Sequence, residues 1–253
     1  MRLENKVAII TGGGRGIGRA FALRFAQEGA KVVVTQRTTT EIEGTVSEIK
    51  ASGGNALAVT MDIRDPEQVN KMIQRAADEF GGIDILINNA GFYGGFGHKR
   101  WDDWSLEEWR ASWDINVVGG WLCAKGVVPY MRERGKGKIV NISSVTFHMG
   151  YPGQLPYTCT KAAIIALTRG MARSLGRYLI NVNAIAVGYT MTEASANMPG
   201  RDAEGEKVLV ARRCIRREEQ PEDLVGTGVF LVSDDSDFIS GQTIVVDGGD
   251  NMP

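Results

Sequence analysis

The chain has 253 residues, of which 43% are hydrophobic and 23% charged, and its formal net charge is −1. This length and composition are ordinary for one α/β domain, so we expect a single domain over residues 1–253. A nucleic-acid or anionic-membrane surface would need clustered excess Lys and Arg, which the near-neutral charge argues against.

Targeting, disulfide and metal signals are weak. No apolar run approaches the ~18 residues of a membrane span, and residues 1–6 do not lead into a signal-peptide core. The three cysteines lack a C-x-x-C spacing, and only two histidines are present. We therefore expect a cytoplasmic protein with no metal site, no disulfide framework and no membrane or nucleic-acid partner.

Strand and helix patterns alternate along the chain. Short β-branched or apolar runs predict strands at residues 7–10, 31–35, 55–61, 83–88, 137–143, 180–186 and 243–246. Amphipathic or capped segments predict helices at about residues 19–28, 38–52, 65–80, 105–134, 156–177 and 222–233. This alternation predicts an α/β fold with a doubly wound, mostly parallel sheet and helices on both faces.

The turn between the first strand and the first helix is rich in glycine. Residues 11–18 read T-G-x-x-x-G-x-G, with Gly12, Gly16 and Gly18 as the spaced glycines. Such a turn presents backbone N–H groups at a helix N-terminus, where a phosphate binds well. The pattern is neither G-x-G-x-x-G nor a P-loop. It predicts a dinucleotide site, and the alternative is a glycine-rich connection that binds nothing.

A phenol and an ammonium group lie four residues apart at Tyr157 and Lys161. On a helix they share one face. An ammonium near a phenol favours phenolate, so we expect Lys161 to lower the pKa of Tyr157 from about 10 and make it a usable proton donor and acceptor. The alternative is a solvated helix face.

Five motifs occur together and in one order along the whole chain. They are the glycine turn, Asn88-Asn89-Ala90-Gly91, Asn116, Ser143-Ser144 and Tyr157-x-x-x-Lys161, and Val246-Asp247-Gly248-Gly249 follows near the end. Together they resemble the short-chain dehydrogenase/reductase family in its classical form. The resemblance implies one Rossmann-like domain with a seven-stranded parallel sheet, NAD or NADP as hydride carrier, and a homotetramer.

The resemblance also implies the catalytic residues. Tyr157 would be the general acid/base, and Lys161 would lower its pKa and hold the nicotinamide ribose. Ser144 would polarise the substrate oxygen, with Ser143 as the competing assignment. Asn116 matches the family asparagine that kinks its helix and supports a proton relay to Lys161; the alternative is a hydrogen bond inside the helix.

A cofactor site follows from the same match. It would comprise Gly12, Arg15, Gly16, Ile17, Gly18, Arg37, Asp62, Ile63, Asn89, Ala90, Gly91, Tyr157, Lys161, Gly188, Thr190 and Thr192. One departure lies in the loop after the sixth strand, where Val187 stands in place of the family proline. A proline would fix φ and lack an N–H, so the valine makes the placement of the nicotinamide amide less constrained.

The end of the second strand bears on the choice of cofactor. NAD-preferring relatives carry an acidic residue there, which holds the ribose hydroxyls and repels a 2′-phosphate. Here the residue is Gln36, and Arg15 and Arg37 can bind phosphate oxygens. The sequence therefore favours NADP(H); the alternative is that Arg37 faces solvent or stacks on adenine and NAD(H) is used.

Aromatic residues predict the substrate end. We expect Tyr93, Phe96 and Trp101 to form one wall and His148 and Tyr151 the other, around Ser144, while the helical tryptophans Trp109, Trp113 and Trp121 serve the core or a subunit interface. The run at residues 192–196 is similar to aryl-alkyl secondary-alcohol dehydrogenases of the family.

The predicted function is hydride transfer between a nicotinamide cofactor and a ketone or secondary alcohol with a bulky or aromatic apolar substituent. A 3-oxoacyl-thioester reductase is the alternative enzyme. A catalytically silent nucleotide-sensing or scaffold protein is the alternative of another class.

Overall fold

The computed structural model describes residues 1–93, 97–196 and 203–252. Its strands are β1 (Val7–Thr11), β2 (Lys31–Gln36), β3 (Asn55–Thr60), β4 (Ile85–Asn88), β5 (Gly137–Ser144), β6 (Ile180–Val187) and β7 (Thr243–Val246). In this part of the chain they form one parallel sheet in the order β3-β2-β1-β4-β5-β6-β7. The predicted seven-stranded, doubly wound sheet is confirmed.

Helices connect the strands. They are α1 (Gly16–Gln27), α2 (Thr39–Ala51), α3 (Pro66–Phe80), α4 (Leu106–Trp113), α5 (Gly119–Glu133), α6 (Thr146–Met149), α7 (Leu155–Leu175), α8 (Glu193–Ala196), α9 (Ala203–Arg212) and α10 (Glu222–Val232). Within the described residues, none of them combines the length and the apolar character that a membrane crossing requires.

Apolar strands are buried because helices cover both faces of the sheet. On one face, Phe21 and Phe25 of α1 pack with residues of α2 and α10. On the other face, Met72 and Ile73 of α3 pack with residues of α5 and α7. The strand order reverses between β1 and β4, and such a reversal opens a crevice at the carboxyl ends of the strands.

Two helix starts follow the predicted caps. Asp65 accepts hydrogen bonds from the backbone N–H groups of Glu67 and Gln68 before α3, and Pro66 begins that helix. Ser105 and Glu108 form a capping box at α4.

The long helix predicted over residues 105–134 is interrupted. A π-helical turn, Asp114–Val118, joins α4 to α5. Helices α6, α8 and α9 were not predicted, because each is short or lacks a strong apolar period.

Candidate active site

A cavity of about 700 Å³ opens at the carboxyl edge of the sheet. Its wall includes parts of the glycine turn, the ends of β2, β4, β5 and β6, the start of α7, and α9. Because these segments follow parallel strands or pack above them, residues far apart in sequence meet at one edge.

The glycine turn forms one end of the cavity. Gly12, Arg15, Gly16 and Ile17 line it. Gly12 and Gly16 have φ of +65° and +51°, which disfavour other residues. The first turn of α1 has neither an acidic residue nor a side-chain cap. The N–H groups at the start of α1, which has no acidic residue in its first turn, fit a dinucleotide pyrophosphate.

Gly18 allows α1 to pack closely against the glycine turn and does not line the cavity. A Cβ at this position would lie 2.1 Å from the carbonyl oxygen of Gly12, and Gly18 is absent from the cavity wall. The predicted direct contact of Gly18 with a cofactor is therefore not what the geometry indicates. Its missing side chain lets α1 approach the turn.

Gln36 and two basic residues surround the end of β2. The Gln36 side chain accepts a hydrogen bond from the Gly14 N–H at 3.1 Å and donates one to Glu41. Arg15 lies 3.6 Å from a Glu41 carboxylate oxygen. Arg15 and Arg37 both line the cavity and are exposed there.

Asp62 and Ile63 line the same end of the cavity. The Asp62 carboxylate accepts hydrogen bonds from the Arg64 guanidinium, which hold the pKa of Asp62 below its usual value. The backbone N–H of Asp62 donates to Gln68. The carboxylate and the backbone N–H of Asp62 are therefore both held by hydrogen bonds within the chain.

The segment after β4 is tied to the glycine turn. Thr11 Oγ1 accepts hydrogen bonds from the N–H groups of Asn89 and Ala90, both at 3.0 Å. The Asn89 amide donates to the carbonyls of Thr11 and Gly12. Asn89, Ala90 and Gly91 line the cavity, so the predicted stretch is where the sequence placed it.

Tyr157 and Lys161 occupy successive turns of α7 and both line the cavity. The Lys161 ammonium donates to the carbonyl of Ile142 at 2.8 Å and lies 5.4 Å from the centre of the Tyr157 ring. Ser144 hydrogen-bonds the Tyr157 hydroxyl. The predicted face therefore points into the cavity and not to solvent.

The expected lowering of the Tyr157 pKa is not found. Burial raises the pKa of Tyr157 to about 12, and the hydrogen bond with Ser144 offsets part of that rise. Burial lowers the pKa of Lys161 to about 8. Desolvation dominates because the ammonium hydrogen-bonds a backbone carbonyl rather than the phenol oxygen.

The two serines at the end of β5 have different partners. Ser143 Oγ is fully buried and donates to the Lys161 carbonyl at 2.8 Å. Ser144 Oγ accepts from the Thr146 N–H at 3.3 Å and reaches Tyr157. This geometry favours Ser144 over Ser143 as the residue that can meet a substrate oxygen.

Asn116 lies in the π-helical turn, where the wider spacing turns its side chain toward α7. Its amide donates to Thr160 Oγ1 at 2.9 Å, and its oxygen accepts from the Phe92 N–H at 2.6 Å. A Cβ on Gly91 would lie 3.5 Å from this oxygen and 3.6 Å from the Lys161 nitrogen. Asn116 thus joins the loop after β4 to the helix that carries Tyr157.

The loop after β6 closes one side of the cavity. Gly188, Thr190 and Thr192 line it, as the resemblance implied. Thr192 faces the glycine turn, since a Cβ on Gly16 would lie 3.2 Å from its methyl carbon. The N–H groups of Gly188 and Val145 bond the carbonyls of Val246 and Val187, so the strand end is regular without a proline.

Aromatic side chains lie around Tyr157. The Tyr93 ring is centred 5.0 Å from the Tyr157 ring. Tyr151 packs edge-on against His98, with 5.7 Å between ring centres. All four residues line the cavity, and His98 was not predicted. The Lys99 N–H bonds the Gly153 carbonyl and so brings His98 to Tyr151.

Two predicted substrate residues lie elsewhere. Trp101 is 72% exposed and outside the cavity wall. Beside it, the Lys99 ammonium pairs with Glu108 and lies over the ring of Trp104, 5.3 Å from its centre. His148 is exposed on α6 and stacks on Phe147, with 3.8 Å between ring centres. Phe96 lies outside the described residues.

Other lining residues carried no motif. They include apolar and amide side chains, such as Ile115, Ile142, Met149, Gln154, Val208 and Leu209, and two acidic residues, Glu193 and Asp250. The aromatic composition of residues 147–151 was the available signal for Met149. Nothing in the sequence indicated α9.

Comparisons with known proteins agree with this geometry. Residues 12–251 match a family model described as enoyl-(acyl carrier protein) reductase. The chain is 39% identical over 249 residues to a 3-oxoacyl-[acyl-carrier-protein] reductase of Synechocystis, covering 98% of this chain and 97% of that protein.

Two further similarities are informative. The (2S)-[(R)-hydroxy(phenyl)methyl]succinyl-CoA dehydrogenase subunit BbsD of Thauera aromatica is 36% identical over 252 residues, with 100% of this chain and 99% of that protein covered. A crystal structure assigned as a gluconate dehydrogenase of Agrobacterium tumefaciens superposes with a TM-score of 0.91 at 34% identity. The superposition covers 97% of this chain and 96% of the gluconate dehydrogenase chain.

Proposed function

This chain belongs to the short-chain dehydrogenase/reductase family, whose members act on CH–OH and C=O groups with nicotinamide cofactors, and we propose that it is an NADP(H)-dependent ketone reductase. The observation that carries the proposal is the meeting of Tyr157, Lys161 and Ser144 in a cavity that begins at a glycine turn. A silent nucleotide-binding protein would not need this acid–base group.

The residues around Tyr157 define the proton chemistry. With a pKa of about 12, Tyr157 carries its proton at neutral pH and can give it to a carbonyl oxygen. Ser144, already hydrogen-bonded to Tyr157, can donate to the same oxygen and polarise the carbonyl. When bound, the nicotinamide ring supplies the hydride in reduction and takes it in oxidation.

Lys161 and Asn116 support the proposed proton transfer by Tyr157. The Lys161 cation lies within 5.4 Å of the Tyr157 ring and stabilises negative charge as the phenol loses its proton. We propose that it also holds the nicotinamide ribose. Asn116 fixes Phe92 and Thr160 beside it, and we retain the proposed proton relay through Asn116 to Lys161.

The preference for NADP(H) rests on the charges at the end of β2. Arg15 and Arg37 line the cavity, and the β2 terminus carries the neutral Gln36. A 2′-phosphate would accept charge-assisted hydrogen bonds from both guanidinium groups. It would compete with Glu41 for Arg15, and this competition favours the alternative, NAD(H).

The aromatic lining supports an apolar substrate. Tyr93 and Tyr151 favour a ketone or secondary alcohol with a bulky or aromatic substituent. The Thauera relative is named for a substrate that carries both a phenyl carbinol and a CoA thioester. A 3-oxoacyl-thioester reductase remains the second candidate, favoured by the name of the Synechocystis relative.

We also propose a single catalytic domain that assembles as a homotetramer. A cytoplasmic location stays a prediction from the sequence.

The test is an absorbance assay of cofactor oxidation with aryl ketones, 3-oxoacyl thioesters and sugars, each with NADPH and NADH. We expect the highest kcat/KM for an aryl ketone with NADPH. Acyl thioesters as the best substrates would establish the alternative enzyme. Turnover of none of the three classes, with cofactor bound, would favour the non-catalytic protein.

A paired substitution tests the cofactor assignment. Gln36→Asp combined with Arg37→Ala adds a repulsion and removes an attraction, so it should reverse the NADPH/NADH ratio of kcat/KM. A wild-type enzyme that prefers NADH would contradict the cofactor assignment and leave the catalytic one standing.

A further inference from the structure

A buried carboxyl group lies directly beneath the loop after β6. Glu219 is 5% exposed and precedes α10, outside the cavity wall. One of its carboxylate oxygens accepts a hydrogen bond from Thr190 Oγ1 at 2.7 Å. Its backbone carbonyl accepts from the Met191 N–H at 2.8 Å, and Thr190 and Glu219 form an isolated parallel bridge.

A buried guanidinium lies beside this carboxyl group. Arg213 is 5% exposed and donates to the carbonyls of Tyr189 at 2.9 Å and Arg217 at 2.8 Å. It lies 3.8 Å from the second Glu219 oxygen, which accepts no hydrogen bond among the described residues. Three consecutive loop residues, 189–191, are thus held by the buried residues Arg213 and Glu219, which we call the Glu219–Arg213 pair.

The space for this carboxyl group exists because residue 188 is glycine. A Cβ on Gly188 would lie 2.4 Å from the free Glu219 oxygen. Burial raises the pKa of Glu219 to about 7, with Asp247 and Asp223 adding to the rise and Thr190 and Arg213 opposing it. Burying such a group is costly, and buried unpaired polar atoms often mark a functional requirement.

We propose that Glu219 is a positioning residue of the cofactor site, which fixes Thr190, and with Arg213 the whole loop at residues 188–192, in the conformation that binds the nicotinamide end of the cofactor. The inference rests on the proposed function, because Thr190 and Thr192 are cofactor residues only within it. It explains how the loop keeps its shape although Val187 replaces the family proline.

Two substitutions of similar size separate this role from a purely structural one. Glu219→Gln keeps an oxygen that accepts from Thr190, whereas Glu219→Met keeps the volume but removes the acceptor. Both remove the charge that Glu219 offers Arg213, so both should lower the melting temperature. Glu219→Met should lower it further, because the buried Thr190 hydroxyl also loses its acceptor. Only Glu219→Met loses the hydrogen bond to Thr190.

The experiment measures Kd by fluorescence titration of the whole protein with NADPH and with NADH. The variants are then compared by their Kd for whichever cofactor binds the wild type more tightly. We expect Glu219→Met to raise Kd about tenfold and Glu219→Gln by no more than about threefold, since one hydrogen bond contributes about this much. Glu222→Gln, an exposed carboxyl on the first turn of α10, is the matched control and should leave Kd unchanged.

Substitutions of Thr190, the donor of the hydrogen bond to Glu219, provide a second comparison. This comparison also serves if Glu219→Met does not fold. Thr190→Val removes the hydroxyl and leaves the Glu219–Arg213 pair, whereas Thr190→Ser keeps the hydroxyl. We expect the tenfold rise in Kd for valine and a smaller rise for serine, which keeps the hydroxyl but loses the methyl group. The Thr190→Val/Glu219→Met double variant should show no further rise over Thr190→Val, because both substitutions remove the same bond.

Equal Kd values for Glu219→Gln and Glu219→Met, or for Thr190→Val and Thr190→Ser, would overturn the inference. A wild type that binds neither cofactor would overturn it together with the proposed function. A wild type that binds cofactor but turns over no ketone would refute only the proposed reaction.

Discussion

At the scale of single residues, burial moves the two ionisable groups of the site in opposite directions. The pKa of Tyr157 rises to about 12, and that of Lys161 falls to about 8. Both shifts favour the neutral form, because each charge loses hydration. At neutral pH the site therefore holds a protonated phenol beside a protonated amine, which suits proton donation to a carbonyl.

The pH dependence of ketone reduction follows from these values. Below pH about 8 Lys161 is charged, and above it the ammonium loses its proton while Tyr157 stays protonated. We expect kcat/KM for reduction to be constant near neutral pH and to fall above pH about 8. Rates measured over this range with saturating cofactor check the prediction.

Lys161→Arg is the control for this profile. Arginine stays protonated throughout, so the fall above pH about 8 should disappear even though the altered geometry lowers the rate. A wild-type rate that rises from neutral to alkaline pH would contradict the assignment of Lys161.

Residue roles were predictable from sequence where a motif lies within one element. Tyr157 and Lys161 share a helix face because they lie four residues apart. The place of Ser144 beside them, at the end of another element, was implied by the resemblance to the family. Glu219 and Arg213 could not be predicted, because they reach the site through the tertiary contacts of the β6 loop. Trp101 was misplaced because composition does not show which way a loop turns.

At the scale of elements, the contact between α1 and the glycine turn depends on a missing Cβ. A methyl group on Gly18 would overlap the Gly12 carbonyl oxygen, at a separation of 2.1 Å. The helix must then move away from the turn whose N–H groups it presents. This links the position of α1 both to stability and to phosphate binding.

Gly18→Ala should therefore destabilise the protein by about 2 kcal/mol or more, as overpacking does, and weaken cofactor binding. Thermal unfolding and cofactor titration measure the two effects. Gly44→Ala is the matched control, because Gly44 is exposed in α2 with nothing within 4 Å of an added Cβ. It should stabilise the protein by up to about 1 kcal/mol, since alanine favours the helix. Similar destabilisation by both substitutions would contradict the packing argument.

Strands were the easiest elements to predict. All seven were predicted to within about two residues at each end, because nearly continuous apolar runs stand out between polar helices. The π-helical turn at Asp114–Val118 reads as ordinary helix in the local sequence, and only the resemblance, through the asparagine that kinks its helix, pointed to an irregularity there. Helix α9 lacks a clear apolar face and is held by tertiary contacts that sequence does not reveal.

At the scale of the whole molecule, large apolar side chains are exposed along the continuous helix formed by α4, the π-helical turn and α5. Leu106, Trp113 and Trp121 are 64%, 41% and 44% exposed. Exposed apolar surface of this kind marks an interface, and closed symmetric assembly is the usual way to cover it. This surface supports the proposed homotetramer.

Light scattering at micromolar concentration should give the mass of four chains. Trp121→Glu should give a smaller assembly, because a charge would be buried against apolar surface. Trp101→Glu, on an exposed loop, is the matched control and should keep the tetramer mass. A wild type that is a stable monomer would refute the assembly.

The doubly wound sheet gathers the residues of the proposed active site at one edge. The glycine turn follows β1, Asn89 to Gly91 follow β4, Ser144 ends β5, and residues of the loop after β6 line the same cavity as α7. Alternating elements predicted the topology, and the resemblance to the family implied which residues this topology brings to the edge. The central claim is that this edge is a proton-transfer site next to a nicotinamide site.

The most direct measurement compares Tyr157→Phe with the wild type for aryl-ketone reduction and for cofactor binding in the same preparations. The account predicts a loss of turnover of at least about 100-fold, since the proton donor is removed, with cofactor Kd changed little because the glycine turn is untouched. A Tyr157→Phe variant that keeps more than about a tenth of the wild-type kcat while binding cofactor normally would contradict it.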